Sequence, residues 1–210
     1  MMEYLESCES TQKILLDAVK FGTILPPHAI VSKTQTAGVG SRGNSWECEE
    51  GNLYFSFCVL KSQIPSDVPE VSLSIYFSYL MKIYLERLGS KVWLKWPNDL
   101  YLGDKKIGGV ITNKVRDVYI CGIGVNLAWA PSYSATLDIK IAPNDLAMGF
   151  LSVLEEKISW KQTFSKFLLE FQNSKELTAH IDGKVMSLSE ASLCEDGSIL
   201  INNKRVYSLR

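Results

Sequence analysis

The sequence predicts an α+β protein, a mixed β-sheet with helices followed by a small β module. Three observations lead there. Dense aromatic and aliphatic runs (NLYFSFCVL, KVWLKW, KIGGVIT, VYICGIGVNL) alternate with stretches whose apolar residues recur at helical spacing. The last thirty residues instead break into short alternating runs around Asp182-Gly183 and Asp196-Gly197, as hairpins do. The chain has 210 residues, 46% hydrophobic and 21% charged, enough for one sizeable core. Residues 1–179 are expected to form the main domain and 180–210 the β module, which is too small to hold a core alone and must pack on the first.

Taken in order, Ser10 precedes TQKILLDAVK, where Ile14, Leu15, Ala18 and Val19 share a helix face. Ser10 fits the N-cap and Gly22 lies just past the end. Pro26-Pro27 breaks the chain before the strand AIVSKTQ. TAGVGSRGNSWECEEGN then has no periodicity and reads as a long loop, followed by the strand NLYFSFCVL. Residues 67–88 predict a long amphipathic helix with Leu73, Phe77, Leu80, Tyr84 and Leu88 on one face. Three further strands follow in KVWLKW, KIGGVIT and VYICGIGVNL. Pro143 to about Ala179 is helical in two pieces around Ser159.

Net charge is −1, so no basic field gathers nucleic acid, and a bound anion must be held by local donors. His28 and His180 stand far apart, and five cysteines show no C-x-x-C pair. That argues against structural zinc and a disulfide framework, and fits a reducing cytoplasm. The acidic N-terminus has no signal-peptide pattern. The uncharged stretch Val118–Leu137 holds Gly122, Gly124, Asn126 and Pro131, so it reads as a buried strand and a loop rather than a membrane span.

Three segments carry chemistry. Gly38-Val39-Gly40-Ser41-Arg42-Gly43-Asn44 suits a phosphate cradle, with close backbone approach and one planar guanidinium; an ordinary surface loop fits as well. In KWPNDLYLGDKKIGG, Asn98-Asp99 reads as a turn and Lys105 as a solvated charge. Lys106, beside Gly108 and Gly109, either points at a ligand on the sheet or joins Lys105 in solvent. In Gly122-Ile123-Gly124-Val125-Asn126, the glycines clear one strand face for something flat or for a closely packed helix.

Together these segments resemble the biotin protein ligases. KWPNDLYLGDKKIGGVI followed by GIGVNL carries the likeness, with Ser10-Thr11-Gln12, Gln35-Thr36-x-Gly38 and Ser45-Trp46 in the order of that family. The resemblance implies a biotin/lipoate ligase-like catalytic domain with an SH3-like C-terminal module. It also implies a two-step reaction: the biotin carboxylate attacks the α-phosphorus of ATP, with Mg²⁺, and a lysine of a biotin carrier protein such as that of acetyl-CoA carboxylase then takes the biotinyl group. By the same likeness Ser10, Thr11, Gln12 and Gln35 meet the biotin ring, with Gly38, Val39, Gly40 and Ser41 beside it. Lys106 meets carboxylate and phosphate, with Gly108 and Gly109 allowing close approach. Asn98, Asn126 and Trp46 lie by the nucleotide, and Asp99 orients the incoming amine or metal. Mg²⁺ is carried mainly by ATP.

One departure stands out. The family loop is rich in arginine, but Val39, Ser41 and Asn44 occupy three of those positions here, so Arg42 is expected to take over the lost charge, helped by main-chain N–H groups from Val39 to Ser41. The start of the chain near Ser10 leaves no room for the DNA-binding domain of some relatives, so no repressor activity is expected. An edge strand offers a means of pairing two copies. The competing readings are a lipoate or octanoate attachment enzyme, whose R-R-x-G-G-G-x-V-x-H-D run is missing, a non-catalytic biotin-binding module, and a structural or scaffolding protein, which leaves the glycine loop unexplained.

Overall fold

The structure, a computed structural model, describes residues 1–207, and of Arg42 the backbone alone. Seven strands form the main sheet: β1 (Met2–Leu5), β2 (His28–Ser32), β3 (Leu53–Leu60), β4 (Trp93–Lys95), β5 (Asp99–Leu102), β6 (Lys105–Val115) and β7 (Val118–Val125). Their order is β1-β2-β3-β7-β6-β5-β4, and β1 with β2 is the parallel pair in an otherwise antiparallel sheet.

The side-chain alternation of β3 sets the layers. Leu53, Phe55, Phe57 and Val59 face the large core, which also holds apolar side chains of α2 (Leu73–Arg87), α3 (Pro143–Glu155) and α4 (Trp160–Ser174). Cys58, on the opposite face, packs with Ile30, Ile120 and the α1 residues Leu15 and Val19. That helix, α1 (Thr11–Phe21), is capped as its sequence predicts: Ser10 Oγ accepts from the Lys13 N–H, and Gly22 at φ 72° donates to Ala18 and Val19 carbonyls. Ser159 caps α4 in a reciprocal capping box with Gln162, which is why the helical stretch breaks there.

Four elements differ from expectation. α2 begins at Leu73, after a 3₁₀ turn over Glu70–Ser72. It is buried nearly all round rather than amphipathic, because it lies between the sheet and two further helices. Lys82 on it is 3% exposed and pairs with Glu86 at 2.7 Å and Glu170 at 2.5 Å, which lets a charge remain inside. β1 and β5 are strands that the sequence reading did not assign. α4 ends at Ser174, short of Ala179.

The tail forms β8 (Thr178–Ile181), β9 (Lys184–Ser187), β10 (Ser192–Leu193), β11 (Ile199–Ile201) and β12 (Lys204–Val206), in a two-stranded and a three-stranded antiparallel sheet. It packs against the rest: Ile181, Leu188, Ala191, Ile199 and Ile201 join the large core. The turn before β11 is pinned by Trp96 Nε1 donating to Gly197 O at 2.9 Å and Trp160 Nε1 to Glu195 O at 2.8 Å. The expected division at 180 falls inside β8. Among the described residues no helix is long and apolar enough to cross a membrane.

Candidate functional site

A cavity opens between the N-terminus of α1 and the face of the sheet toward it. Its floor has few side chains, because Gly109 of β6 pairs with Gly124 of β7, and Gly122 lies two residues along the same strand. The glycines clear the sheet face, and two side chains then pack directly on it. A Cβ on Gly122 would lie 2.7 Å from Gln12 Oε1, and one on Gly124 would lie 2.8 Å from Trp46 Cε2.

The polar wall comes from Ser10, Thr11 and Gln12, all buried. Gln35 Oε1 accepts from the Thr11 N–H at 2.8 Å and from Thr11 Oγ1 at 3.1 Å, and Thr11 Oγ1 lies 2.9 Å from Ser56 Oγ. Gln35 Nε2 donates to Cys48 Sγ at 3.4 Å, so loop and helix are fastened through one glutamine. Burial pushes the Cys48 thiol up and the Tyr54 phenol up to about 12, so both stay neutral. Gln12 Oε1 and Trp46 Nε1 are buried without a hydrogen-bond partner among the described residues, which marks them as groups a ligand would satisfy.

Lys106 reaches this face through an irregularity. β5 pairs with β6 as Asp99–Gly109 and Leu100–Gly108, then as Tyr101–Lys106, so the register slips and Ile107 is the extra residue. Regular alternation would put Lys106 and Gly109 on opposite faces. With the slip, Ile107 goes into the core and Lys106 Nζ comes within 3.4 Å of a Cβ built on Gly109. There it meets Asp99 Oδ1 at 2.6 Å and stands 5.5 Å from the centre of the Trp46 ring. Lys105 is exposed, at the first position of β6.

A second cavity adjoins the first, and Gly40, Ser41, Trp46 and Lys106 border both. It is also lined by Asn126, whose Nδ2 donates to Ala135 O at 3.2 Å, and by Glu47 and Tyr133, joined by a hydrogen bond from the Tyr133 hydroxyl. Asn98 lines the first cavity, with Nδ2 committed to Val110 O at 2.6 Å. Gly108 lies under Gly124 O, where a Cβ would come within 2.7 Å.

The glycine loop is ordered by its own backbone. Gly40 N–H donates to Asn44 O at 2.7 Å, Trp46 N–H to Gly38 O at 2.8 Å, and Ser41–Gly43 is a 3₁₀ turn. The Gly40 N–H, one of the main-chain donors expected to face an anion, is therefore already engaged. Gly38 is required by close approach, since a Cβ there would lie 2.6 Å from Cys48 Sγ. The Arg42 side chain lies outside the described residues. Among those residues no group of three or more His, Cys, Asp or Glu could hold a metal ion.

Sequence reasoning missed Ser56, Glu47, Tyr133 and Asn52. Ser56 was visible as a lone hydroxyl in the apolar run LYFSFCVL. Asn52 Oδ1 accepts from the N–H groups of Leu127, Ala128 and Trp129 at 2.8, 3.0 and 3.1 Å, fixing the chain just after Asn126; its only signal was an asparagine opening a buried strand.

Comparison with known proteins gives four findings. Residues 4–127 match the model of the biotin/lipoate A/B protein ligase family. The bifunctional ligase/repressor BirA of Escherichia coli K12 is 37% identical over 127 residues, 57% of this chain and 38% of that protein, so the chain spans well under half the length of this relative. The crystal structure of biotin acetyl coenzyme A carboxylase synthetase from Helicobacter pylori with bound biotinylated ATP superposes with a TM-score of 0.93 at 42% identity, covering 98% of this chain and 99% of that one. The Aquifex aeolicus biotin protein ligase in complex with biotin and ATP shares the fold, with a TM-score of 0.78 at 24% identity over 100% of this chain and 95% of that one.

Proposed function

Because the chain belongs to the biotin/lipoate A/B protein ligase family, we propose that it is an ATP-dependent ligase that activates biotin as biotinyl-5'-AMP and transfers the biotinyl group to a lysine of a biotin carrier protein. The observation that carries this reading is the position of Lys106, whose side chain borders both cavities. A ligase must join two anions, a carboxylate and a triphosphate, and a cation at the junction offsets their repulsion.

The first cavity takes biotin. Ser10, Thr11, Gln12 and Gln35 supply hydroxyl and amide groups for the ureido ring, and Gly122 and Gly124 let Gln12 and Trp46 lie close against the sheet, where they wall the space that the bicycle enters. Its carboxylate then lies toward Lys106. The second cavity takes the nucleotide, bounded by Trp46 and Asn126. Asn98 shapes the first cavity through its bond to Val110. Arg42, in the loop that borders both cavities, adds charge for the phosphates in place of the missing loop arginines. Magnesium enters with ATP as its counter-ion.

In the first step a carboxylate oxygen forms a bond to the α-phosphorus, and the bond to the bridging oxygen breaks to release pyrophosphate. In the second, the acceptor amine forms a C–N bond to the acyl carbon and AMP leaves with the former carboxylate oxygen. The amine must lose a proton, and Asp99, already paired with Lys106, is the adjoining carboxylate that can take it. The acceptor is the biotin carrier domain of acetyl-CoA carboxylase, and the five free cysteines suit a reducing, ATP-supplied compartment, the cytoplasm.

Incubation with biotin, ATP, Mg²⁺ and a carrier domain tests this by intact-protein mass spectrometry. One biotinyl group on one acceptor lysine, dependent on ATP, is expected. Failure to modify any carrier domain, with no pyrophosphate released from biotin and ATP, would refute it.

A further inference from the structure

We infer that Asn113, outside both cavities, is a positioning residue that locks the Gln12 amide so that its oxygen faces the ligand, making the first cavity select a ring that donates N–H. This rests on the ligase reading above.

Asn113 lies on β6 opposite Ile120 of β7, on the same sheet face as Gly109 and Gly122 but farther from Lys106. Gln12 Nε2 donates to Asn113 Oδ1 at 2.9 Å and, at a longer 3.4 Å, to Ile120 O. The Ile120 carbonyl can only accept, so both contacts call for the nitrogen on that side. The opposite end of the amide, Oε1, is buried and unpartnered, and it sits over Gly122 in the cavity wall. An amide left free could turn either way and present a donor or an acceptor with similar ease. Its two anchors together remove that choice: the Ile120 carbonyl sets the direction, and the shorter Asn113 bond holds it. A buried acceptor gains from an N–H donor and pays desolvation when none arrives. The ureido ring of biotin supplies N–H groups; an alkyl chain or a dithiolane supplies none.

The test is steady-state pyrophosphate release with biotin, and with biotin methylated on either ureido nitrogen, for the wild type, Asn113→Ala and Asn113→Asp. Asn113 is exposed, so neither substitution opens the core. In Asn113→Ala the KM for biotin is expected to rise roughly tenfold, with kcat and the KM for ATP little changed. The preference for biotin over the better excluded methylated analogue should shrink by a similar factor. Asn113→Asp keeps the acceptor oxygen and should restore both. An Asn113→Ala enzyme with wild-type KM for biotin and wild-type discrimination would overturn the inference. So would equal losses in the two variants, since the acceptor would then not matter. Wild-type protein that releases no pyrophosphate would instead overturn the ligase reading.

Discussion

Lys106 and Asp99 meet at 2.6 Å above Gly109, on neighbouring antiparallel strands whose register slips by one residue between them. The slip turns the lysine toward the cavity, the carboxylate holds it there, and the glycine leaves room for both. A cation fixed in this way needs little reorganisation when two anions come together beside it.

Replacing Lys106 by alanine should therefore strike chemistry harder than binding. Biotin-dependent pyrophosphate release is expected to fall at least about a hundredfold, while biotin affinity by calorimetry falls much less, since the ring is held at the other end of the cavity. Lys106→Arg should recover only part of the rate, because a planar guanidinium cannot occupy the compact site of an ammonium beside Asp99. Parallel loss of binding and rate would show that Lys106 serves only as an anchor.

Arg42 is the single arginine of the glycine loop. Val39 and Ser41 are neutral and the Gly40 N–H is engaged by Asn44, so on the ligase reading Arg42 is the one full charge that this loop offers the phosphates. Arg42→Ala should slow adenylate formation about tenfold or more and raise the KM for ATP. Near wild-type rates would assign the phosphate charge elsewhere. Quenched-flow measurement of biotinyl-AMP separates this from an effect on transfer to the carrier.

Gly124 carries the Trp46 ring on its bare Cα. A methyl group at 124 would come within 2.8 Å of the ring, which must then move away from the junction of the two cavities. Gly124→Ala is expected to lower kcat/KM for ATP about ten- to a hundredfold, as misplacement of a positioning group does, with the fold intact by circular dichroism. Wild-type kinetics would mean that the indole can shift without consequence.

Part of this site carried local signals: KKIGG and GIGVN are glycine-marked strands that stand out by residue type and spacing, whereas Ser10-Thr11-Gln12 read locally only as the cap and start of a helix and were marked as site residues by the resemblance to the biotin protein ligases. The slip at Ile107 could not be read, since it exists only as a relation between two strands; without it periodicity leaves the direction of Lys106 undecided. β5 was hidden because Asn98 and Asp99 are turn formers, and Asp99 nonetheless begins a strand. The burial of α2 depends on layers laid down by chain segments far away. Asn113 and Gln12 are 101 residues apart, and nothing in either segment announces the pairing.

Asp138 ties the segment after Asn126 to the approach to β4, which leads to the KWPND turn. Its Oδ1 accepts from Ser90 Oγ at 2.5 Å and its Oδ2 from the Lys91 N–H at 2.9 Å. Burial alone would raise its pKa, but these hydrogen bonds and the nearby Lys91 charge outweigh it and hold the carboxyl below the ordinary aspartate value of 3.8. The folded form thus binds this proton less readily than the unfolded chain. Its contribution to stability is complete above 3.8 and is lost as pH falls through the depressed folded value. Asp138→Asn should lower Tm near neutral pH by roughly 2–4 °C, the size expected for about 1 kcal/mol in a chain of this length. The gap between wild type and variant should then narrow as the pH falls below 4. Differential scanning calorimetry from pH 7 to pH 3 checks this. A gap that stays constant across that range would mean that ionisation of Asp138 adds nothing to holding the segment in place.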